Sequence, residues 1–174
     1  ILLRFAAQLT DLVKGVTATE QLQAKVGELS YLAERMKESQ SHYEREENVL
    51  FPFLEKHGVT QPPMIMWMEH DKIREMKKSL YALVDMTQNP DIQSIGQLVD
   101  VASGVADTLS KHFYKENNIL FPTALQVLGQ DEWKEIRREF DELGYCSFTP
   151  EDTRVAFGAP EATQVAYAAG TIQL

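Results

Sequence analysis

Two segments of this chain, HYEREENVLFP at residues 42–52 and HFYKENNILFP at residues 112–122, are copies of one phrase. Their His, Glu, Asn, Leu, Phe and Pro positions are identical, and Tyr/Phe, Arg/Lys and Val/Ile are conservative exchanges. In both copies the histidine lies four residues before the glutamate, which places the two side chains on one face of an α-helix. Helical cores need spaced leucines but no repeated His and Glu, so the repeat indicates a chemical role.

The His–Glu pairs fall on apolar helix faces. His112 and Glu116 continue a stripe at helical spacing, formed by Val105, Leu109, His112, Glu116 and Leu120. In the first copy Glu46 continues the core stripe, while His42 lies about a quarter-turn to its flank. A carboxylate that points inward is costly unless it is paired, hydrogen-bonded or bound to a metal. Two such pairs on separate helices therefore predict a shared polar site inside the fold.

Helical periodicity dominates the first 146 residues and predicts an all-α fold. The predicted helices cover about residues 1–15, 19–57, 61–88, 92–128 and 131–143, with breaks at Gly15, Gly58, Asn89-Pro90-Asp91, Gly129 and Gly144. Four long amphipathic helices with short connections favour an up-down-up-down four-helix bundle. The fifth is a short extra helix that Asp131 is expected to cap. Residues 1–146 form one predicted domain, and residues 147–174 a tail or linker without sustained periodicity.

A third helix adds His70, which follows Met66 by four residues and precedes Ile73 by three, and so faces inward. Alone, such a histidine is more often a hydrogen-bonded core residue than a ligand. Imidazole and carboxylate together suit iron, manganese or zinc. Glutamates from two facing helices can bridge two metal ions while histidines bind terminally. Three of the four histidines lie on the inner faces of three different helices, two of them with matched carboxylates. This coincidence predicts a metal site formed by His42, Glu46, His70, His112 and Glu116.

Each neighbouring polar residue also has a plain structural interpretation. An isolated His–Glu pair on a helix is usually a solvated surface pair. His57 is predicted to cap a helix end or to face solvent, and it is excluded from the site. Glu47, Glu69 and Asp71 are expected to face solvent.

The Leu-Phe-Pro ending of each copy predicts packing and a kink, because Pro52 and Pro122 each remove one helical hydrogen bond. Asn48 and Asn118 either support the ligands or cap the kinked turns, and the sequence leaves both alternatives open.

The composition excludes several partners. A formal net charge of −9 and a pI near 4.9 argue against nucleic acid and against anionic membranes, since both require clustered Lys and Arg. No apolar run approaches the length of a membrane span. The single cysteine, Cys146, excludes an internal disulfide and any site built from several cysteines. A cytoplasmic location is predicted.

The motifs HYEREENVLFP, MWMEHDKIR and HFYKENNILFP, over roughly residues 1–130, resemble the hemerythrin-like, HHE cation-binding family. That family is a four-helix bundle that holds two irons with histidine and carboxylate ligands. The resemblance implies two non-heme iron ions, for which an oxo- or hydroxo-bridge is one option. Zinc and manganese are the alternative metals. It also implies that His42, His70 and His112 bind the ions terminally and that Glu46 and Glu116 bridge them.

Two departures from the family pattern affect function. The family supplies a histidine near the start of its first helix, and the first seventeen residues contain none. Because Ile1 is already inside the apolar pattern, that ligand is expected upstream. Oxygen-carrying members also use a second histidine where this chain has Arg74. In having a single histidine on its third helix, the chain resembles the hemerythrin-like iron sensor of a eukaryotic F-box protein. The absence of the second histidine weakens the case for reversible oxygen carriage.

The stretch DEWKEIRREFDELGYC and the tail resemble a narrower bacterial and archaeal subgroup. There a domain of unknown function (DUF438) precedes the bundle and a PAS sensory domain follows it. The resemblance predicts that this chain is a segment of a longer protein that leads into a PAS domain.

The function predicted first is sensory or regulatory, with oxygen, nitric oxide, redox state or iron as the signal and no turnover. A second hypothesis is a di-iron protein that handles iron or processes nitric oxide or peroxide. A third is a metal-free helical module whose inner polar residues form a buried network. The oligomeric state is not predicted.

Overall fold

The structure, a computed structural model, describes residues 1–87 and 92–149. Within these ranges it contains helices and no strands, which confirms the all-α class. The helices are α1 Leu2–Val13, α2 Thr19–Gln23, α3 Val26–Lys37, α4 Gln40–Arg45, α5 Phe51–Lys56, α6 Gln61–Met86, α7 Ile92–Lys115, α8 Phe121–Val127 and α9 Gln130–Leu143. Two π-helical turns, π1 Glu46–Leu50 and π2 Glu116–Leu120, join α4 to α5 and α7 to α8. The predicted break at residues 89–91 and the tail beyond residue 149 lie outside the described residues.

The second predicted helix is the one that the structure divides most. It is interrupted between α2 and α3 and again at Glu38 and Ser39, before α4. The Ser39 hydroxyl donates to the carbonyl of Met36 at 2.8 Å, a local bond that competes with the helical ladder. The predicted cap of the last helix was wrong. α9 begins after Gly129, whose N–H donates to the Glu132 carboxylate at 2.9 Å.

The long helices pack as a ring of neighbours. α1 contacts α3 and α7, and α6 contacts the same two helices, while α9 lies against α4 and π1. The up-down-up-down order of these helices remains a prediction, as do the proposed domain limits. In the described part of the chain, no helix combines the length and the apolar character that crossing a membrane requires.

The apolar core consists of two clusters of buried side chains. The larger joins α1, α3, α6 and α7 and includes Leu9, Leu29 and Leu80. The smaller joins π1, α5, α8 and α9 around Phe51 and Leu54. Complete burial of one such side chain stabilises a fold by about 1.5–3 kcal/mol. The inward histidines and glutamates lie in the sequence between residues of the two clusters, so the polar site has apolar packing on both sides.

Each repeat carries a π turn that ends two residues before its proline. The Phe51 N–H donates to the Glu46 carbonyl, and the Phe121 N–H donates to the Glu116 carbonyl. Pro52 lacks an N–H, and its ring crowds the carbonyl four residues earlier, so a wider turn relieves this position. At the positions of the expected kinks the structure has π turns. A π turn contains more residues than an α turn. A helical period of 3.6 residues that is extrapolated through a π turn therefore assigns residues on one side of it to the wrong helix face.

Two glycine substitutions are expected to change stability in opposite directions. Gly58 ends α5 with φ +77°, so Gly58→Ala should lower the free energy of unfolding by roughly 1–2 kcal/mol. Gly96 is exposed on α7 with open space where a Cβ would lie, so Gly96→Ala should raise it by roughly 0.5–1 kcal/mol. Denaturant unfolding monitored by circular dichroism measures both. Equal effects of the two variants would contradict these helix bounds.

Candidate metal centre

Three histidines from three helices meet in the bundle. The Nε2 atoms of His70 on α6 and His112 on α7 are 3.1 Å apart. Oε1 of Glu116, the first residue of π2, lies 2.6 Å from the His112 Nε2 and 3.2 Å from the Nε2 of His42 on α4. The structure thus brings His42 into the cluster, although the sequence placed it at the flank.

Glu46, the first residue of π1, completes the cluster. Its Oε2 lies 3.4 Å from the His70 Nε2, and its Oε1 lies 3.9 Å from the His42 Nε2. Both oxygens of Glu46 and Oε2 of Glu116 are buried, and none has a hydrogen-bond partner among the described residues. Buried carboxylate oxygens without partners are costly, so these atoms fit a site for a cation.

Glu47 orients His70. The His70 Nδ1 lies 2.7 Å from Oε1 of Glu47, and Arg74 holds the same carboxylate through contacts of 2.6 and 2.7 Å. The expectation that Glu47 faces solvent was wrong, because the side chain is buried between these two partners. Arg74 therefore has a structural role in the site.

Glu69 does the same for His112. Its Oε2 lies 3.0 Å from the His112 Nδ1, and Lys115 pairs with its other oxygen. The expectation that Glu69 faces solvent was therefore also wrong. Asp71 does face solvent, with 71% of its side chain exposed. Carboxylates that hold the second ring nitrogen of a histidine are typical neighbours of metal-binding histidines.

These carboxylates fix the tautomers of the two central rings. Because carboxylates accept hydrogen bonds, the Nδ1 atoms of His70 and His112 carry protons. Burial alone would lower the pKa of His112, but Glu116 and Glu69 outweigh it and raise that pKa, so His112 is the ring that takes a proton. Without that proton, the electron pairs of the His70 and His112 Nε2 atoms face each other across 3.1 Å. This arrangement is repulsive unless a proton or a metal ion binds the electron pairs. The cluster is built to hold positive charge.

The electrostatics of the cluster agree with this geometry. Burial, followed by the charge of Glu116, raises the pKa of Glu46 well above its usual value. Burial alone would raise the pKa of Glu116, but His42 and His112 outweigh it and lower that pKa to about 2. Burial and the neighbouring His112 lower the pKa of His70 to about 2. His70 is therefore neutral, which is the form that binds metals.

The residues fit a metal ion. One donor atom from each of His42, Glu46, His112 and Glu116 lies within 4.8 Å of the others. Metal–donor distances of about 2.0–2.2 Å place two donors of one ion no more than roughly 4.4 Å apart. The cluster thus suits one ion after small side-chain adjustments, or two ions that share the carboxylates.

Polar residues near the repeats have other roles. His57 is exposed and contacts Glu132 at 2.8 Å, away from the cluster, as expected. Asn48 is exposed, and Asn118 is exposed and donates to the Tyr114 carbonyl at 2.6 Å. Neither asparagine therefore supports a ligand.

Comparison with known proteins agrees with the site. The profile of the hemerythrin HHE cation-binding domain matches residues 2–124 and confirms the resemblance seen in the sequence. Similar curated proteins are the iron-sulfur cluster repair proteins YtfE of Salmonella schwarzengrund, Salmonella paratyphi B and Salmonella newport. Each is 32% identical over 136 residues, covering 70% of this chain and 60% of the relative. The chain therefore spans about three fifths of the length of these relatives.

Removal of a central ligand is expected to lower metal content. His112→Ala deletes a donor that contacts both Glu116 and His70, and His42→Ala deletes the donor from α4. Each variant should retain its helices by circular dichroism but bind less iron in elemental analysis after reconstitution. His57→Ala is the matched control and should bind as much iron as the unmodified protein. Equal iron in all three variants would exclude this cluster as the binding site.

Glu47→Gln should weaken metal binding through His70. The amide cannot hold the His70 Nδ1–H and Arg74 as the carboxylate does, so affinity should fall roughly 10–100-fold. Competition with a chromophoric chelator measures this change. Asp71→Asn is the control, because Asp71 contacts the same Arg74 at 2.9 Å but not the histidine. An equal loss in both variants would mean that Glu47 acts through the charge around Arg74 rather than through the orientation of His70.

Proposed function

This chain belongs to the hemerythrin HHE cation-binding family, and we propose that it holds two non-heme iron ions for iron handling or for processing nitric oxide or peroxide. The proposed ligands are the five residues of the cluster, His42, Glu46, His70, His112 and Glu116. The observation that carries the proposal is the convergence of histidine Nε2 atoms and unpartnered carboxylate oxygens in a buried site.

Each group of residues would have a distinct task in this centre. The histidines would bind the ions terminally, and the two glutamates have free oxygens with which to bridge them. Glu47 and Glu69 would hold two imidazoles in the orientation that binding requires. Iron, when bound, supplies redox chemistry and coordination positions for small ligands.

Access to the centre is expected beside His42. Its side chain is 14% exposed, whereas those of His70, His112 and Glu116 have no exposed surface. Iron exchange or the entry of a small molecule would therefore displace His42 first, with the apolar clusters excluding water from the other ligands.

Iron handling is favoured over sensing because the similar proteins are named as iron-sulfur cluster repair proteins. A protein that repairs such clusters needs a source of iron, and a bundle centre with one partly exposed ligand can release an ion. Since the chain covers only part of those relatives, the repair activity itself is carried over only as a proposal.

Sensing is the second candidate, and one contact favours it. Arg45, on the ligand-bearing α4, donates to the carbonyl of Gly144 at 2.7 Å and lies over the Tyr145 ring. A movement of His42 or Glu46 would reach the end of α9 through this contact. A PAS domain after the tail remains a prediction, and it would be the receiver of such a movement.

Anaerobic loading with ferrous iron tests the proposal. We expect about two irons per chain, as in other di-iron bundles. The loaded protein should transfer iron to a cluster-free acceptor protein or consume several equivalents of nitric oxide or peroxide. A purely stoichiometric reaction with a change in conformation would favour sensing. Absence of metal after native purification, together with no uptake of ferrous iron, would favour the metal-free helical module.

A further inference from the structure

A cavity of about 530 Å³ lies beside the metal cluster, between α3–α4 and α6. Cationic side chains dominate its charged lining, although the chain as a whole is acidic. Lys37, Arg74, Lys77 and Lys78 line it together with one carboxylate, that of Asp85. Two of these cations are already paired, since Lys37 contacts Glu34 and Arg74 contacts Glu47.

Lys77 is the unusual member of this lining. Only 4% of the residue is exposed, and its ammonium donates to the hydroxyls of Ser39 at 2.5 Å and Tyr43 at 2.9 Å. Within the part of the chain that the structure describes, no carboxylate lies within ion-pair distance of its Nζ. A buried ammonium held by hydroxyls alone is costly, because no opposite charge compensates for the lost water. Burial, and to a smaller extent the charge of Arg74, lowers the pKa of Lys77 to about 7.

A hydroxyl without a partner lies in the same cavity. The oxygen of Tyr81 is buried, and none of the described residues hydrogen-bonds to it. Buried hydroxyls normally have partners, so this one is free to pair with a molecule in the cavity. The apolar lining comes from Met36, Ala82 and the rings of Tyr43 and Tyr81.

We propose that this cavity binds a small organic anion, with a carboxylate or phosphate head on an apolar body. The head would pair with the Lys77 ammonium and accept a hydrogen bond from Tyr81. The body would pack against Met36, Ala82 and the Tyr43 ring. The cavity volume lies in the range of small-molecule sites.

The cavity also contacts residues that position the metal cluster. The Tyr43 ring lies between the two sites, 4.8 Å from the Lys77 Nζ and 4.6 Å from the His70 ring, measured to ring centroids. Arg74 lines the cavity and holds the carboxylate of Glu47, which orients His70. A bound anion would therefore touch two groups that support a metal ligand. Anion binding itself does not depend on the proposed iron function.

Calorimetric titration of the metal-free and the iron-loaded protein tests the site with four probes. Benzoate and phenyl phosphate carry the two possible heads on one body, inorganic phosphate lacks the body, and benzamide lacks the charge. At least one of the two aromatic anions should bind at one site per chain, and whichever binds identifies the head. Inorganic phosphate should bind about tenfold more weakly, because it buries no apolar surface. Benzamide should show no binding.

Variants assign the binding to this cavity. Lys77→Met should weaken binding of the aromatic anion by at least about tenfold, because it removes the buried positive charge. Lys111→Met, at an exposed lysine paired with Asp107, should leave binding unchanged. Tyr81→Phe should weaken it by about three- to tenfold through loss of one hydrogen bond. This variant also carries the test if Lys77→Met does not fold by circular dichroism.

Three results would overturn the proposal. The first is that benzamide binds as tightly as benzoate. The second is that Lys77→Met and Tyr81→Phe both leave the affinity for the aromatic anion unchanged. The third is that the folded protein binds neither aromatic anion. Inorganic phosphate binding as tightly as phenyl phosphate would overturn the assignment of an apolar body. Loss of iron uptake with retained anion binding would contradict the proposed function and leave this site supported.

Discussion

The structure depends on one electrostatic constraint, which is that electron pairs from several side chains converge where water is excluded. The Nε2 atoms of His70 and His112 face each other across 3.1 Å, and carboxylate oxygens of Glu46 and Glu116 surround them. Apolar side chains alone would pack more favourably here. A fold that places these groups together needs positive charge among them, and both imidazole and carboxylate bind iron.

The surrounding residues maintain this arrangement. Glu47 and Glu69 hold the outer nitrogens of two rings, and Arg74 and Lys115 hold those carboxylates in turn. The apolar clusters on either side lower the effective dielectric, which strengthens every contact inside. Arg74 also lines the neighbouring cavity, so the support of the metal site is shared with the proposed anion site.

The sequence predicted the helices and the five candidate ligands because these depend on local spacing. It missed Glu47 and Glu69, whose partners lie on other helices and have no fixed distance along the chain. The available signal was a carboxylate next to an inward-facing ligand in the sequence, but glutamates that face solvent also occur at such positions. The sequence also placed His42 off the core stripe, because it assumed an α-helical period through residues that form a π turn.

X-ray absorption at the iron edge of the anaerobically loaded protein tests the metal centre most directly. It reports the atoms around iron without depending on activity. Nitrogen and oxygen neighbours, with multiple scattering from imidazole rings and scattering from a second iron, are the predicted result. Iron surrounded by oxygen alone, as on exposed carboxylates, or by sulfur, would contradict binding by the buried histidines.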